Sequence, residues 1–160
     1  MTISSADKEY IERCLTGIKD TPQAQSMKTF IQHGQITTYT HVLNVVCMSC
    51  RVDETLHAHS DRQSLIVGAF LHDFYLYDWH DSSSNEGLHG FRHPVTALEK
   101  AQKQLPLNSK EKNIIVSHMW PLTITRVPRC REAMIVCFSD KLCALYETVY
   151  KCRRMFDVDL

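Results

Sequence analysis

A chain of 160 residues, 44% of them apolar and 22% charged, is long enough to bury a substantial core and reads as an ordinary globular protein. Its formal net charge of zero supplies no long-range attraction to nucleic acid or to an anionic membrane, so neither an extended nucleic acid nor a membrane is an expected partner. No apolar run approaches the ~20 residues that span a bilayer, and the start MTISSADKEY lacks the basic and apolar stretches of a secretory signal, so the cytoplasm is the expected location.

Residues 5–19 carry Tyr10, Ile11, Cys14, Leu15 and Ile18 at helical spacing, with Ser4 or Ser5 available as a cap, and predict a first helix. Thr21-Pro22 opens a second element with Met27, Phe30 and Ile31 on its inner face, and Gly34 ends it. Residues 38–56 predict a third helix capped by Thr37 or Thr38. There His41, Val45, Met48 and Val52 share one stripe, so His41 sits on the buried side near the N-terminal end. Taken alone, such a histidine is more often a core group hydrogen-bonded to backbone. Cys47 and Cys50 lie in the same helix. A zinc or redox reading needs a second pair or a strand-turn-helix setting, and neither is evident. With an odd total of seven cysteines, the chain reads as carrying free thiols in a reducing compartment. His57 and His59 follow at the helix end, where they face solvent and complement the helix dipole.

Residues 61–74 predict the next helix. Leu65, Gly68, Ala69 and His72 fall on one face, so the pair His72-Asp73 emerges where the core face would continue. That places one nitrogen and one oxygen capable of holding a metal on a rigid element. The stretch 75–92, with three consecutive serines, Asn85, Gly87 and Gly90, reads as a loop. It carries Trp79, His80, His89 and Phe91 and runs from the His72-Asp73 pair to His93, which suits a wall or lid over a site. His93-Pro94 starts a helix with Pro94 in its first turn and Val95, Leu98, Ala101 and Leu105 on its apolar side. Asn108 and Glu111 resemble a capping box for a helix whose stripe runs from Ile114 to His118 and breaks at Trp120-Pro121. An irregular crossover over 122–128 carries Arg126. The last helix, 129–150, places Val136, Asp140, Cys143 and Glu147 on adjacent turns, and an aspartate among apolar neighbours is costly unless paired or metal-bound. Nothing alternates with period two over strand length, so the expected fold class is all-α. The expected organisation is a single helical domain over 1–160, with a core at about 39–147, a helical N-terminal extension over 5–33 and a short tail over 151–160.

His41, His72, Asp73, His93, His118 and Asp140 share one property: each lies on an apolar helical face or at a helix end aimed inward. Buried imidazoles and carboxylates from five helices are expensive without a common partner, and a metal centre provides one. Four imidazoles and two carboxylates exceed the three protein ligands typical of one catalytic zinc, and suit two divalent ions sharing a carboxylate.

The ordered set resembles the HD superfamily of metal-dependent phosphohydrolases over about 39–147. His41 matches the first histidine, LHDF the motif that names the superfamily, and Asp140 followed by Lys141 the final aspartate. His93 and His118 match the two further histidines of the dinuclear subset, which includes diadenosine tetraphosphate hydrolases and cyclic-dinucleotide phosphodiesterases. HDFYLYDWH, HMWPLTI and SDKLCALYE also resemble a small bacterial HD family to which no substrate is assigned.

The resemblance implies a single HD-domain helical bundle and two divalent transition-metal ions, Fe, Mn, Co or Zn. His41, His72, Asp73 and Asp140 would hold one ion and Asp73, His93 and His118 the other, with Asp73 shared. It further implies hydrolysis of a small-molecule phosphate ester or anhydride, a nucleotide included, by a metal-bridging hydroxide. Where many members carry Gly-Lys after the His-Asp pair, this chain has Phe74-Tyr75, so another cation must take that lysine's part. Lys141 is the nearest in sequence to a ligand; it would orient Asp73, reach the phosphate, or form a supporting salt bridge. His33, Arg126 and Arg129 are phosphate contacts or solvated surface. His80 and His89 would act as acids or line the pocket, with His89 also a rival of His93 as a ligand; His93 is preferred as the residue that starts a helix. Trp79 and Trp120 fit the core better than a base-stacking role. Two other functions use the same ligands: a diiron oxygenase resembling myo-inositol oxygenase, and a metal-stabilised binding module without turnover.

Overall fold

The computed structural model describes residues 3–77, 89–150 and 155–156, the side chains of His33 and His89 excepted. Ser4 accepts the Asp7 N–H and starts α1, Ser5–Leu15, whose inner face buries Ile11 and Leu15. Thr21 caps α2, Pro22–Ser26, in the same way. Here the expected second helical element stops short. Ile31–His33 (β1) and Ile36–Thr37 (β2) pair antiparallel, and Gly34 at φ 59° turns the chain between them rather than ending a helix. Strands of three and two residues are too short to display an alternation, which is why the pattern along the chain concealed them.

Thr37 accepts the Thr40 N–H and starts α3, Thr38–Thr55. Asp61 does the same for Ser64 at the start of α4, Arg62–Leu71. The remaining helices are α5, His89–Gln102, α6, Ser109–Ser117, and α7, Arg131–Tyr150. The fold is all-α apart from the hairpin. No helix among the described residues is long and apolar enough to cross a membrane. The α3 helix is central: nearly its whole N-terminal two-thirds is buried, and it packs against both α4 and α7. In turn α4 lies on α6, and α6 on α5 and α7. Asn108 and Glu111 form the capping box expected of them, and Asn108 Nδ2 also donates to Ser64 Oγ at 2.9 Å, tying α6 to α4.

One boundary differs in a way that bears on the site. The helix expected to begin at His93 begins at His89, so His89 stands at a helix start rather than in a loop, and Pro94 lies inside the helix. Gly90 and Pro94 both argue locally for a break, and only the buried side formed by His93, Ala97 and Ala101 overrides them. The rest of the expected loop, 78–88 with Trp79 and His80, lies outside the described residues, as does the lid role assigned to it.

The six described cysteines are free, and burial pushes the Cys47 and Cys50 thiols up to about 12, which makes them unreactive. Close packing between α4 and α6 depends on Gly68. A Cβ there would stand 2.5 Å from Ile114 Cδ1, 2.9 Å from its Cγ2 and 3.0 Å from its Cβ. Gly68→Ala is therefore expected to destabilise the fold by about 1–2 kcal/mol in denaturant unfolding, the overpacking outweighing the better helix propensity of alanine. An unchanged or raised midpoint would show that α4 and α6 separate freely.

Candidate metal centre

Five helices deliver the six expected residues to one place. His41 lies in the opening turns of α3; His72 and Asp73 follow the last turn of α4; His93 comes from α5; His118 closes α6; Asp140 lies midway along α7. All six are buried, none more than 8% exposed.

Two of the histidines are placed by the same local device. His72 and His118 are the C-terminal caps of α4 and α6. Each turns its Nδ1–H back onto a helical carbonyl that has no intrahelical donor: His72 onto Ala69 O at 2.6 Å, His118 onto Ile115 O at 2.8 Å. That bond sets the tautomer and leaves Nε2 pointing into the centre. His41 is held in the same sense by an acid: its Nδ1 donates to Glu147 Oε2 at 2.8 Å, while Asn44 Nδ2 donates to Glu147 Oε1 at 2.8 Å.

The two oxygens of Asp73 face different histidines. Oδ2 lies 3.4 Å from His72 Nε2 and 3.8 Å from His41 Nε2; Oδ1 lies 3.2 Å from His93 Nε2 and 3.5 Å from His118 Nε2. Asp140 Oδ1 stands 3.1 Å from His41 Nε2 and 3.6 Å from His72 Nε2. His93 and His118 bring their Nε2 atoms to 2.8 Å of each other, a separation that needs a proton or a cation between two lone pairs. His72 Nε2 and Asp73 Oδ1 are buried with no hydrogen-bond partner. Orphaned ligand-type atoms converging on one point are costly unless a cation receives them, so the donor set fits a divalent metal. Among the described residues, three groupings bring their ligand atoms within 4.8 Å of one another: His41, His72 and Asp73; Asp73, His93 and His118; and His72, His118 and Asp140. The third cuts across the division into two sites that the resemblance implied.

Charge follows the same geometry. Burial presses the His72 imidazole down, but the nearby Asp73 and Asp140 carboxylates prevail and raise it to about 9. His41 rises well above the usual histidine range against the same burial, through Asp140 and Glu147. Burial would push the two aspartates up; His72 instead holds Asp73 well below the carboxylate range, and His41 and His72 do so for Asp140. At His118 burial prevails: with His72 and His93 pushing the same way, it outweighs the Asp73 and Asp140 charges and leaves the ring neutral with a value of about 3.

A residue outside the expected set completes the centre. Gln32, on β1, donates from Nε2 to Asp73 Oδ2 at 2.6 Å. Its Oε1 accepts from the Tyr75 hydroxyl and from Thr38 Oγ1, the latter at 3.2 Å, which fixes the amide so that nitrogen faces Asp73. Tyr75 thus supports Asp73 through Gln32. Lys141 does not: its ammonium donates to His118 O at 2.8 Å, Cys137 O at 3.1 Å and Cys137 Sγ at 3.3 Å. Glu147 was detectable as an acid two turns after Asp140 on the same stripe. Gln32 had no local mark.

A cavity of about 610 Å³ opens beside the centre, lined by Asp73, Asp140, His93, His118, Gln32, Lys141, Gly90, Met119, Pro121, Leu122 and Ala144. Arg126 is not on its wall; the guanidinium donates to Phe91 O at 2.7 Å. Arg129 is exposed, its backbone N–H bound to Asn113. Trp120 is half-buried and off the lining, its carbonyl accepting from Cys137 Sγ. His33 and His89 have described backbones only, and His80 falls among the residues not described.

A family model for the HD domain matches residues 38–145. No curated protein and no solved structure matches the chain.

Proposed function

The chain belongs to the HD domain family, which is a superfamily of metal-dependent phosphohydrolases, and from that premise we propose that it hydrolyses a small-molecule phosphate ester or anhydride at a two-metal centre. The observation that carries this is the division of the Asp73 carboxylate, one oxygen toward His41 and His72 and the other toward His93 and His118. We assign His41, His72, Asp73 and Asp140 to one ion and Asp73, His93 and His118 to the other. The mixed nitrogen and oxygen donors suit Mn, Fe, Co or Zn.

When bound, such ions supply a water of lowered pKa and Lewis acidity toward phosphoryl oxygens. The protein's part is positioning. Gln32 holds the Asp73 carboxylate in one orientation, and Glu147 fixes the tautomer of His41. Lys141 ties α7 to the carbonyl of His118, and thereby holds that histidine's helix end against the cavity. The test is a panel of phosphomonoesters, phosphodiesters and nucleotides with Mn, Fe, Co, Ni or Mg returned separately to metal-free protein. Metal-dependent release of phosphate is expected. A diiron centre that consumes dioxygen, or tight metal binding with no turnover on any phosphate, would overturn the reading.

The charge pattern gives a linked expectation. At pH 7 His72, raised to about 9, and His41, raised well above its usual range, both carry a proton on each ring nitrogen in the metal-free protein. A metal needs each Nε2 lone pair, so loading this side expels about one proton from each. His118, at about 3, is already neutral and releases none. Metal affinity is therefore expected to rise with pH across the neutral range and on toward about 9, as His72 loses its extra proton. Calorimetry in buffers of different ionisation enthalpy measures the release directly. A pH-independent affinity between pH 6 and 8 would contradict it.

A further inference from the structure

The cavity wall leading away from the metal centre is apolar. Met119, Pro121 and Leu122 come from the segment after α6, Ala144 from α7, and Gly90 from α5. Gly90 closes this wall without narrowing it: a Cβ there would stand 3.1 Å from Leu122 Cδ2 and 3.6 Å from Met119 Cε. Cations are scarce by contrast. Lys141 is the one Lys or Arg on the lining among the described residues, and its three ammonium donors are engaged by protein acceptors. Arg126 is held by Phe91 O. Residues 78–88, the sequence between Tyr77 and α5, contain no Lys or Arg.

A site for a nucleoside polyphosphate has to neutralise several phosphates, and enzymes do so with lysine and arginine as well as metal. Here the charge-neutralising capacity is concentrated at the ligand cluster, which suits one phosphoryl group, and the wall beyond it suits an apolar group. Resting on the phosphohydrolase reading above, we propose that the substrate is a phosphomonoester whose uncharged, apolar organic group lies against Met119, Pro121, Leu122 and Ala144, and that polyphosphates are excluded. In the reaction a water oxygen bonds to phosphorus and the phosphorus–oxygen bond to the organic group breaks. The leaving oxygen takes one of the water's protons, giving inorganic phosphate and a free alcohol or phenol.

The experiment pairs turnover with binding on the metal-loaded full chain. Hydrolysis of benzyl phosphate, whose leaving alcohol is about as basic as glycerol, is compared with that of glycerol 1-phosphate, and AMP with ATP. Binding of phenylphosphonate is compared with that of methylphosphonate, neither of which is cleaved. The phenyl-bearing compound is expected to lead by roughly 10–100-fold in both kcat/KM and affinity, from the apolar area it covers. AMP is expected to exceed ATP by at least about tenfold, since among the described residues the one Lys or Arg on the lining, Lys141, is already engaged by protein acceptors. In Leu122→Asp, a change at a half-exposed position, both phenyl preferences should shrink toward one while thermal unfolding stays cooperative. Turnover with no phenyl preference, or with ATP favoured, overturns this proposal and leaves the phosphohydrolase reading standing. A phenylphosphonate preference without turnover of any phosphate supports the cavity assignment and overturns the hydrolase reading. Neither turnover nor phosphonate binding overturns both.

Discussion

Asp73→Ala is expected to abolish phosphate release, by at least about 1,000-fold, and to strip most of the bound metal, because it deletes the one ligand that faces both histidine pairs. The loss goes beyond coordination. In the native centre Oδ2 accepts from Gln32 and both oxygens stand among four imidazoles, at 3.2–3.8 Å. Removing the carboxylate leaves the protonated His72 with Asp140 as its remaining carboxylate and leaves the Gln32 amide without its acceptor. Breaking a buried charged pair in this way costs about 3–5 kcal/mol, so part of the effect on alanine would be structural. Asp73→Asn separates the two contributions: it keeps the shape and an acceptor oxygen but loses the charge. Metal content by atomic emission and phosphate release should both collapse in Asp73→Asn while thermal unfolding remains cooperative. Wild-type metal content in that variant would remove Asp73 from the centre.

The second large effect concerns His93 and His118. Each presents Nε2 to Asp73 Oδ1, and the two nitrogens are 2.8 Å apart. Replacing either with alanine should lower the metal content from about two per chain toward about one and reduce kcat by roughly 100-fold or more, since one ion loses half of its nitrogen donors. The two substitutions should be nearly non-additive, as expected for residues acting on one ion. In metal-free protein His118→Ala also removes a buried ring and its 2.8 Å contact with His93 Nε2, so a lower unfolding midpoint is expected as well. A metal count that stays at one in wild-type protein under replete conditions would make the centre mononuclear and assign both histidines to the substrate.

How much of this was legible in the chain depends on the range of each interaction. The helices, their caps and the six inward-facing residues were legible because helical stripes, cap residues and the cost of a buried charge are properties of a few neighbouring positions. Asn108 with Glu111, and Asp140 among apolar neighbours, are examples. The hairpin was not, since strands of three and two residues carry no readable period. The start of α5 was misplaced because Gly90 and Pro94 mark a break locally and burial on one side of the helix overrules them.

The sequence by itself determined the all-α class, the order of the six inward-facing residues and the residue types that could hold metal, because each rests on local periodicity and chemistry. Tertiary structure alone decided which atoms meet. Gln32 reaches Asp73 across 41 positions and His41 reaches Glu147 across 106, and neither separation leaves a trace in local spacing. It also decided that Lys141 serves backbone carbonyls rather than Asp73, a choice set by the packing of α6 against α7. The physical reason is common to all three: a buried donor or acceptor takes whichever partner the packed helices place within about 3 Å, and that partner is chosen by the fold as a whole.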